Sequence, residues 1–412
     1  MNILLINHYA GSDKLGMEYR PFNFAQEWSR KGHHTTVVAA TYSHIRTQNP
    51  EITKNHEYTD ESGIEYLWVK TPAYKSNSPK RFINMLVFIW RLFCLTKMIL
   101  KRRTYDVVIA SSTYPLDIFP ARKIAKKSKA LLIYEVHDLW PLSPMELGGY
   151  SKWHPFILLM QYAENFAYKK SDKVVSLLPV TKEHMIAHGL KENKWFCVPN
   201  GINTEDWKNY EKIPDEISGK IRVVKAKYSR IVAYTGTYGL ANALDSFIDA
   251  AKRTADISVA WVLFGKGPLK QHLQDRIMAE SIDNVFIFDN VPKKSIPDLL
   301  SYFDYLFLGL QNQPLFRFGI SPNKLMDYMM SGKPVIQAIH AGNDMVKESG
   351  CGISVEPENP DAIADAVRQM VKMTDEELQA LGAKGRDYIL KHHSNTILAD
   401  NFLEIIKKPT KK

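Results

Sequence analysis

The chain has 412 residues, a formal net charge of +10 and 45% hydrophobic residues. That length excludes one ordinary core, that apolar share excludes wholesale disorder, and together they predict two α/β domains of roughly 200 residues each. The charge predicts an acidic partner (anionic lipid, a phosphate-bearing substrate or nucleic acid), and three widely spaced cysteines, Cys94, Cys197 and Cys351, form neither a disulfide framework nor a zinc spacing and point to a reducing compartment.

The opening "MNILLINHYA" lacks a basic leader and a cleavage site and reads as a first strand. "INHYAGSDKLGMEYRPF" (6–22) follows it into a helix over Pro21–Lys31. Gly11 and Gly16 let backbone approach a ligand there, and Glu18 and Arg20 stand where the helix starts. Neither a dinucleotide GxGxxG nor a GxxxxGK[ST] phosphate loop occurs in the chain.

Further strands are predicted at Thr36–Ala40, Ile64–Val69, Val107–Ala110, Leu131–Glu135, Val174–Leu178 and Trp195–Val198, several as continuous apolar runs suited to a parallel sheet covered on both faces. Between them, "KRFINMLVFIWRLFCLTKMILKRR" (80–103) is strongly apolar with basic ends and has Arg91 in its middle. A central Arg opposes membrane spanning, so the stretch is expected to lie on a membrane surface. Phe88, Trp90 and Phe93 would dip in, with Arg91, Lys97, Lys101, Arg102 and Arg103 at the headgroups. A buried core helix is the competing reading. The basic run 121–130 and the apolar run 152–162 favour the membrane surface. "YEVHDLWP" (134–141) ends a buried strand with His137 and Asp138, where polar groups face a ligand site. "PNGIN" (199–203) and the polar 204–229 mark the domain boundary.

The second half repeats the rhythm, with strands at Ile231–Thr235, Val259–Phe264, Val285–Phe288, Tyr305–Leu308, Pro334–Ala338 and Ile353–Val355. Helices are predicted near 241–253, 267–280, 295–303 and 322–331, and a long helical tail from about 375. The reading is therefore α/β: two Rossmann-like doubly wound domains, 1–200 and 201–385, and a tail at 386–412 packing back on the first. Tandem domains of this kind bind ligands in a cleft at the carboxyl ends of their strands. Glycine-bearing loops at Gly236, Thr237, Gly239 and Asn242, and at Gly265 and Lys266, could admit phosphate or sugar, and the backbone near Val291 could meet a flat base. In "RFGISPNKLMDYMMSGKPVI" (317–336), Ser321 is a candidate cap and Pro322 suits the first turn. Lys324 lies at the positive end of the helix dipole, where a cation is unfavourable unless an anion offsets it. The free amides there, with Arg317, Asn323 and Lys324, form an anion site; Asp327 could accept from sugar hydroxyls. A surface pair between Lys324 and Asp327 is the plainer alternative.

Taken together, "RKGHHTTVVAA", "EVHDLWP", "VPNGIN", "GTYGLANALD", "FGKGP", "PNKLMDYMMSGKPVI" and "ESGCGISVEPENPDAIADAV" resemble glycosyltransferase family 4, retaining enzymes of the GT-B fold, over nearly the whole chain. The likeness is greatest to bacterial O-antigen and capsule transferases of the N-acetyl-L-fucosamine type. The resemblance implies a UDP-sugar donor and a lipid-diphosphate-linked glycan acceptor. The basic apolar stretch predicts an anionic membrane surface on the inner face of the cell membrane. No DxD-type metal site is visible in a suitable loop, so no metal is expected, and no nucleic acid is expected. It implies that Gly16 meets the donor diphosphate, His137 faces the transferred sugar, Asp327 holds the ribose, and Lys324 with the amides after Ser321 holds the phosphates. Gly319 stands where the family's first motif acid would fall, and Asn242 near where many members carry a loop lysine. A UDP-sugar 2-epimerase of the same architecture and a non-catalytic nucleotide-binding protein are the alternatives. No strong candidate nucleophile stands out.

Overall fold

The computed structural model describes residues 1–75 and 79–409; residues 410–412, the end of the expected tail, lie outside the described residues. The chain forms two compact units, one of Met1–Asn200 joined by the segment from Asn395, the other of Gly201–Ser394.

The first unit is built on β1 (Asn2–Ile6), β2 (His34–Ala40), β3 (His56–Glu61), β4 (Ile64–Val69), β5 (Val107–Ala110), β6 (Leu131–Val136), β7 (Lys173–Ser176) and β8 (Trp195–Cys197). They form one sheet in the order β3-β4-β2-β1-β5-β6-β7-β8. All neighbours pair in parallel except β3 with β4. The chain builds outward from β1 through β2 and β4, then restarts on the other side at β5, so the direction of winding reverses between β1 and β5. β3 is absent from the sequence reading because "HEYTDE" is a polar edge strand with no buried face. Its signal is the turn: Ser62 and Gly63 both have positive φ and join β3 to β4 as a two-residue hairpin.

The helix Asn395–Lys407 packs on the helix Arg20–Arg30, with Trp28 and Phe402 rings 5.4 Å apart and the Trp28 indole N–H donating to the Ala399 carbonyl at 3.2 Å. Lys173 donates to the terminal carbonyls of that helix, among them Ile406 at 2.9 Å, which satisfies its exposed acceptors. The preceding helix, Asp375–His392, belongs to the second unit and starts from a capping box of Thr374 and Glu377. It runs through residue 385 without a break, so the change of unit falls after Ser394 and not at 385.

The apolar stretch forms a helix, Pro79–Arg102, and is the one helix among the described residues long and apolar enough to cross a membrane by composition. It turns Met85, Phe88, Ile89, Leu92 and Ile99 into the unit at helical spacing. This corrects the surface assignment of Phe88. Phe88 is fully buried with its ring 4.6 Å from that of His8. Phe93 is half-buried under Lys123, whose amine is 5.2 Å from the ring. Arg102 is paired with Glu65 at 2.8 Å and stacked on Tyr58. Arg91, half-buried, donates to the Asn55 carbonyl, and Arg103 is half-buried too. Trp90, 64% exposed, and the exposed Lys97 and Lys101 remain on the outer face with Ile83 and Leu86. Phe82 of this helix meets Phe156 of the helix Pro155–Lys170 edge-on at 5.4 Å. That second helix and the turn before it expose Trp153, Leu158 and Tyr162.

The second unit has β9 (Arg230–Thr237), β10 (Val259–Lys266), β11 (Val285–Phe288), β12 (Tyr305–Gly309), β13 (Val335–Ala338) and β14 (Gly352–Val355), all parallel, in the order β11-β10-β9-β12-β13-β14. Winding reverses between β9 and β12. These two strands pair only at Val232–Tyr305 and Ala233–Leu306, so they part toward their carboxyl ends. The Tyr328 hydroxyl fills the opening: it accepts from the Thr235 N–H at 2.7 Å and donates to the Thr235 carbonyl at 3.1 Å. Tyr328 lies on the helix Asn323–Met330, which is thereby fixed over the switch point.

Candidate active site

In the first unit the strand ends converge on a buried ionic network. Glu135, next to last in β6, accepts from the Arg20 guanidinium at 2.9 and 3.1 Å and from the Ser111 hydroxyl at 2.5 Å. The His137 Nε2 lies 3.3 Å from its other oxygen and 3.0 Å from the Ser111 hydroxyl. Burial alone would raise the carboxyl, but Arg20 and His137 outweigh it and hold Glu135 down near about 2. Burial would lower His137, yet the Glu135 carboxylate beside it raises the imidazole above its ordinary value. Arg20 also donates to the Val198 and Pro199 carbonyls at 2.8 and 2.6 Å. Its guanidinium is therefore committed inside the unit, and the residue positions Glu135 instead of meeting a donor. Gly16 is likewise interior: at φ +91° it folds against Thr47, whose hydroxyl would lie 2.6 Å from an added Cβ. Its need for glycine has this internal cause. Asp138 is exposed beside His137.

In the second unit the carboxyl end of β9 carries a different arrangement. Lys324 donates to the Tyr234 hydroxyl at 2.8 Å and to the Asn242 side-chain oxygen at 2.5 Å, and its amine lies 4.6 Å from the Tyr234 ring centre. Tyr234 and Asn242 both donate onward to the Thr237 carbonyl, at 2.8 and 3.0 Å. Gly236 makes room: a Cβ there would stand 2.9 Å from the Lys324 chain. Both hydrogen-bond partners of this ammonium are neutral, and burial pushes its pKa down to about 8. Lys324 thus carries its amine from another element to Asn242, in the loop where the family resemblance places a lysine.

Asp327, one turn on, faces elsewhere. Its carboxyl meets Trp207, which donates to it, with Lys293 and Asp206 nearby, and burial raises it to about 6. It makes no ion pair with Lys324, whose hydrogen bonds go to Tyr234 and Asn242, so the surface pair is not formed. The helix begins at Asn323 with Pro322 as its cap residue and no side-chain cap, so Ser321 does not cap it and Pro322 precedes its first turn. The exposed Asn323 and the half-buried Ser321 and Pro322 stay at the helix start. Gly319 has φ +98°; a carboxylate-bearing residue would be strained there, which accounts for the missing motif acid.

Thr237 and Lys266 are exposed at the ends of β9 and β10, and Gly239 has only ordinary contacts around a Cβ. Gly265 is set against the Gly236 carbonyl, 1.8 Å from an added Cβ, so close strand packing and not ligand approach requires it. Val291 belongs to the core and can offer a ligand only its backbone. Arg317 is exposed, with its guanidinium over the Phe318 ring and donating to the Pro314 carbonyl at 2.6 Å.

Residues 16–206 match the family model Glycosyltransferase Family 4, and residues 229–373 match Glycosyl transferases group 1. The chain belongs to the glycosyltransferases. The glycosyltransferase is 20% identical over 339 residues to WbjE of Pseudomonas aeruginosa, whose name gives it the same activity, covering 81% of this chain and 82% of WbjE. It is 23% identical over 355 residues to WcaI of Escherichia coli strain K12, whose name assigns it to colanic acid biosynthesis, covering 83% and 86%. Among solved structures, HepE of Anabaena, determined with UDP and glucose, superimposes with a TM-score of 0.66 at 14% identity, covering 99% of this chain and 100% of HepE. WaaG, a glycosyltransferase involved in lipopolysaccharide biosynthesis, gives 0.66 at 15%, covering 99% and 100%. These likenesses show a common GT-B fold.

Three residues of the glycosyltransferase's candidate site went unread in the sequence: Glu135, Ser111 and Tyr234. Glu135 had a signal. In "EVH" the acid and the histidine are two residues apart at a strand end, on one side of the pleat. Ser111 and Tyr234 had none, because what places them is the pairing of distant strands.

Proposed function

We propose that this glycosyltransferase moves a sugar, an N-acetylated amino sugar, from a UDP-sugar to a lipid-diphosphate-linked acceptor with retention of anomeric configuration, in the assembly of a bacterial surface polysaccharide. The observation that carries the reading is Lys324, an ammonium held at the carboxyl end of β9 with only neutral hydrogen-bond partners. Breaking the bond between sugar and diphosphate builds positive charge at the anomeric carbon and negative charge on the leaving phosphates. Fixed donors stabilise that charge best. Lys324 and the N-terminal amides of its helix are such donors, and they do so without a divalent ion, so the transfer is proposed to be metal-independent. Asp327 takes the ribose hydroxyls. His137, raised by Glu135, offers a hydrogen bond to the transferred sugar. UDP in HepE and the pathway names of WaaG and WcaI support the donor and the product class; retention rests on the family resemblance.

The outer face with Ile83, Leu86, Trp90, Lys97 and Lys101, continued by Trp153, Leu158 and Tyr162, suits an anionic bilayer surface. We therefore place the enzyme on the cytoplasmic face of the cell membrane, where the acceptor's diphosphate is met.

The test is incubation of purified protein with UDP-sugars, with and without a lipid-diphosphate acceptor and with no Mg²⁺ or Mn²⁺ added. A new glycolipid is expected. Free epimerised sugar would replace this reading with the 2-epimerase, and UDP binding without turnover would leave a binding protein. Vesicle sedimentation should show binding that weakens with salt and is lost in Trp90→Ser/Lys97→Gln/Lys101→Gln.

A further inference from the structure

The helices Pro155–Lys170 and Lys182–Ala187 of the first unit carry none of the donor-site residues. With His188, the residue just after the second helix, they bring together Glu164, His184 and His188, one potential ligand atom from each lying within 4.8 Å of the others. This is the one such group among the described residues. His184 lies in the second helix and His188 is the residue that follows its last turn, and their ring centres are 4.5 Å apart. The His184 Nε2 lies 3.6 Å from the Glu164 Oε1, and the Glu164 side chain is almost wholly buried.

What surrounds the three is already arranged for a cation. Tyr168 donates to the Glu164 Oε1 at 2.9 Å, and Gln161 to its Oε2 at 2.7 Å, so the carboxylate is oriented on both oxygens. The two hydrogens of the Gln161 amide are taken by Glu164 and by the Asn165 oxygen at 2.9 Å. Its approach to the His188 Nδ1 at 3.0 Å is then not a donation. The Nδ1 instead carries a hydrogen and donates to the Asn165 oxygen at 3.0 Å. That selects the tautomer whose Nε2 bears a lone pair, the outer support that metal-binding histidines receive.

We propose that Glu164, His184 and His188 bind a late first-row divalent cation, Zn²⁺ foremost, which clips the two helices together. Two imidazoles and one carboxylate suit zinc and not Mg²⁺ or Ca²⁺, and three protein ligands leave a fourth position for water. Zinc bonds of about 2.0–2.2 Å bring ligand atoms roughly 3.3 Å apart, so the three side chains would draw together on binding. The clip is independent of the transfer chemistry proposed above.

The full-length protein, without a histidine tag, is dialysed against buffer containing Zn²⁺ and then against metal-free buffer, and its metal is counted by mass spectrometry. One zinc per chain is expected. The thermal midpoint should rise with Zn²⁺ or Co²⁺ and not with Mg²⁺, and bound Co²⁺ should show the intense visible absorption of a four-coordinate site. His188→Asn should lose the metal, and Asn165→Ala should weaken binding about 10- to 100-fold. A wild-type protein that retains no zinc and shows neither the shift nor the absorption overturns the proposal. So does a His188→Asn protein that binds zinc as wild type does. The wild-type measurements decide the matter even if a variant fails to fold.

Discussion

The two units end their strands on charge in opposite ways. At the end of β6, Arg20, Glu135 and His137 neutralise one another in the interior, and Arg20 ties β8 into the same network. At the end of β9, Lys324 is half-buried, and a tyrosine hydroxyl and an amide oxygen are its hydrogen-bond partners. A compensated charge holds a scaffold in place. An uncompensated one raises the energy of the empty site and is relieved when an anion arrives.

Breaking the first arrangement should have the largest effect. Glu135→Gln leaves the Arg20 guanidinium buried without its partner and should cost about 3–5 kcal/mol in urea unfolding. The pH dependence has a definite sign. Glu135 is depressed, so its contribution is present above the ordinary carboxylate pKa and is lost as pH falls toward about 2. His137 is raised, so its contribution is full below the ordinary imidazole pKa and is lost as pH climbs through its higher folded value. A variant as stable as wild type would show that the network is not what holds these strand ends.

Lys324→Met should do the reverse. Stability should hold or rise, because a half-buried ammonium is removed, while UDP affinity in calorimetry should fall about 10- to 150-fold, the equivalent of about 1.5–3 kcal/mol for a charged hydrogen bond. Unchanged affinity would remove Lys324 from the phosphate site and erase the contrast between the units.

The same contrast is sharpened by pH. The form of Lys324 that attracts a diphosphate is lost as pH rises through about 8. Wild-type UDP affinity should therefore drop up to about tenfold per pH unit above that value, and the Lys324→Met profile should be flat there. A parallel decline in both proteins would assign the titration to another group.

The smallest effect concerns the loop before the helix. Gly319→Ala places a Cβ at φ +98° and should cost about 1 kcal/mol or slightly more in thermal unfolding. No loss would mean the loop adapts, and the absence of an acid at this position would need a different cause.

Nearly all the strands were legible, because parallel strands buried on both faces appear as unbroken apolar runs such as "VAWVLF". β3 was not, since an edge strand need not be apolar. At the site, Lys324 stood out as a cation in a first helical turn. Its orientation did not, because Tyr234 and Asn242 reach it from 90 and 82 residues away in the chain. The apolar helix at 79–102 shows the other limit. Its composition marked it as unusual, but only the contact of Phe88 with His8 tells which face is inside.

The C-terminal helix has a consequence for synthesis. Phe24 and Trp28 lie near the start of the chain, yet the surface that covers them is Leu398, Ala399 and Phe402. A chain emerging from the ribosome can finish the Gly201–Ser394 unit before the unit that began first. Until residue 395 and those after it appear, two large aromatic side chains remain open on the older unit, and truncation before the final helix would make that exposure permanent.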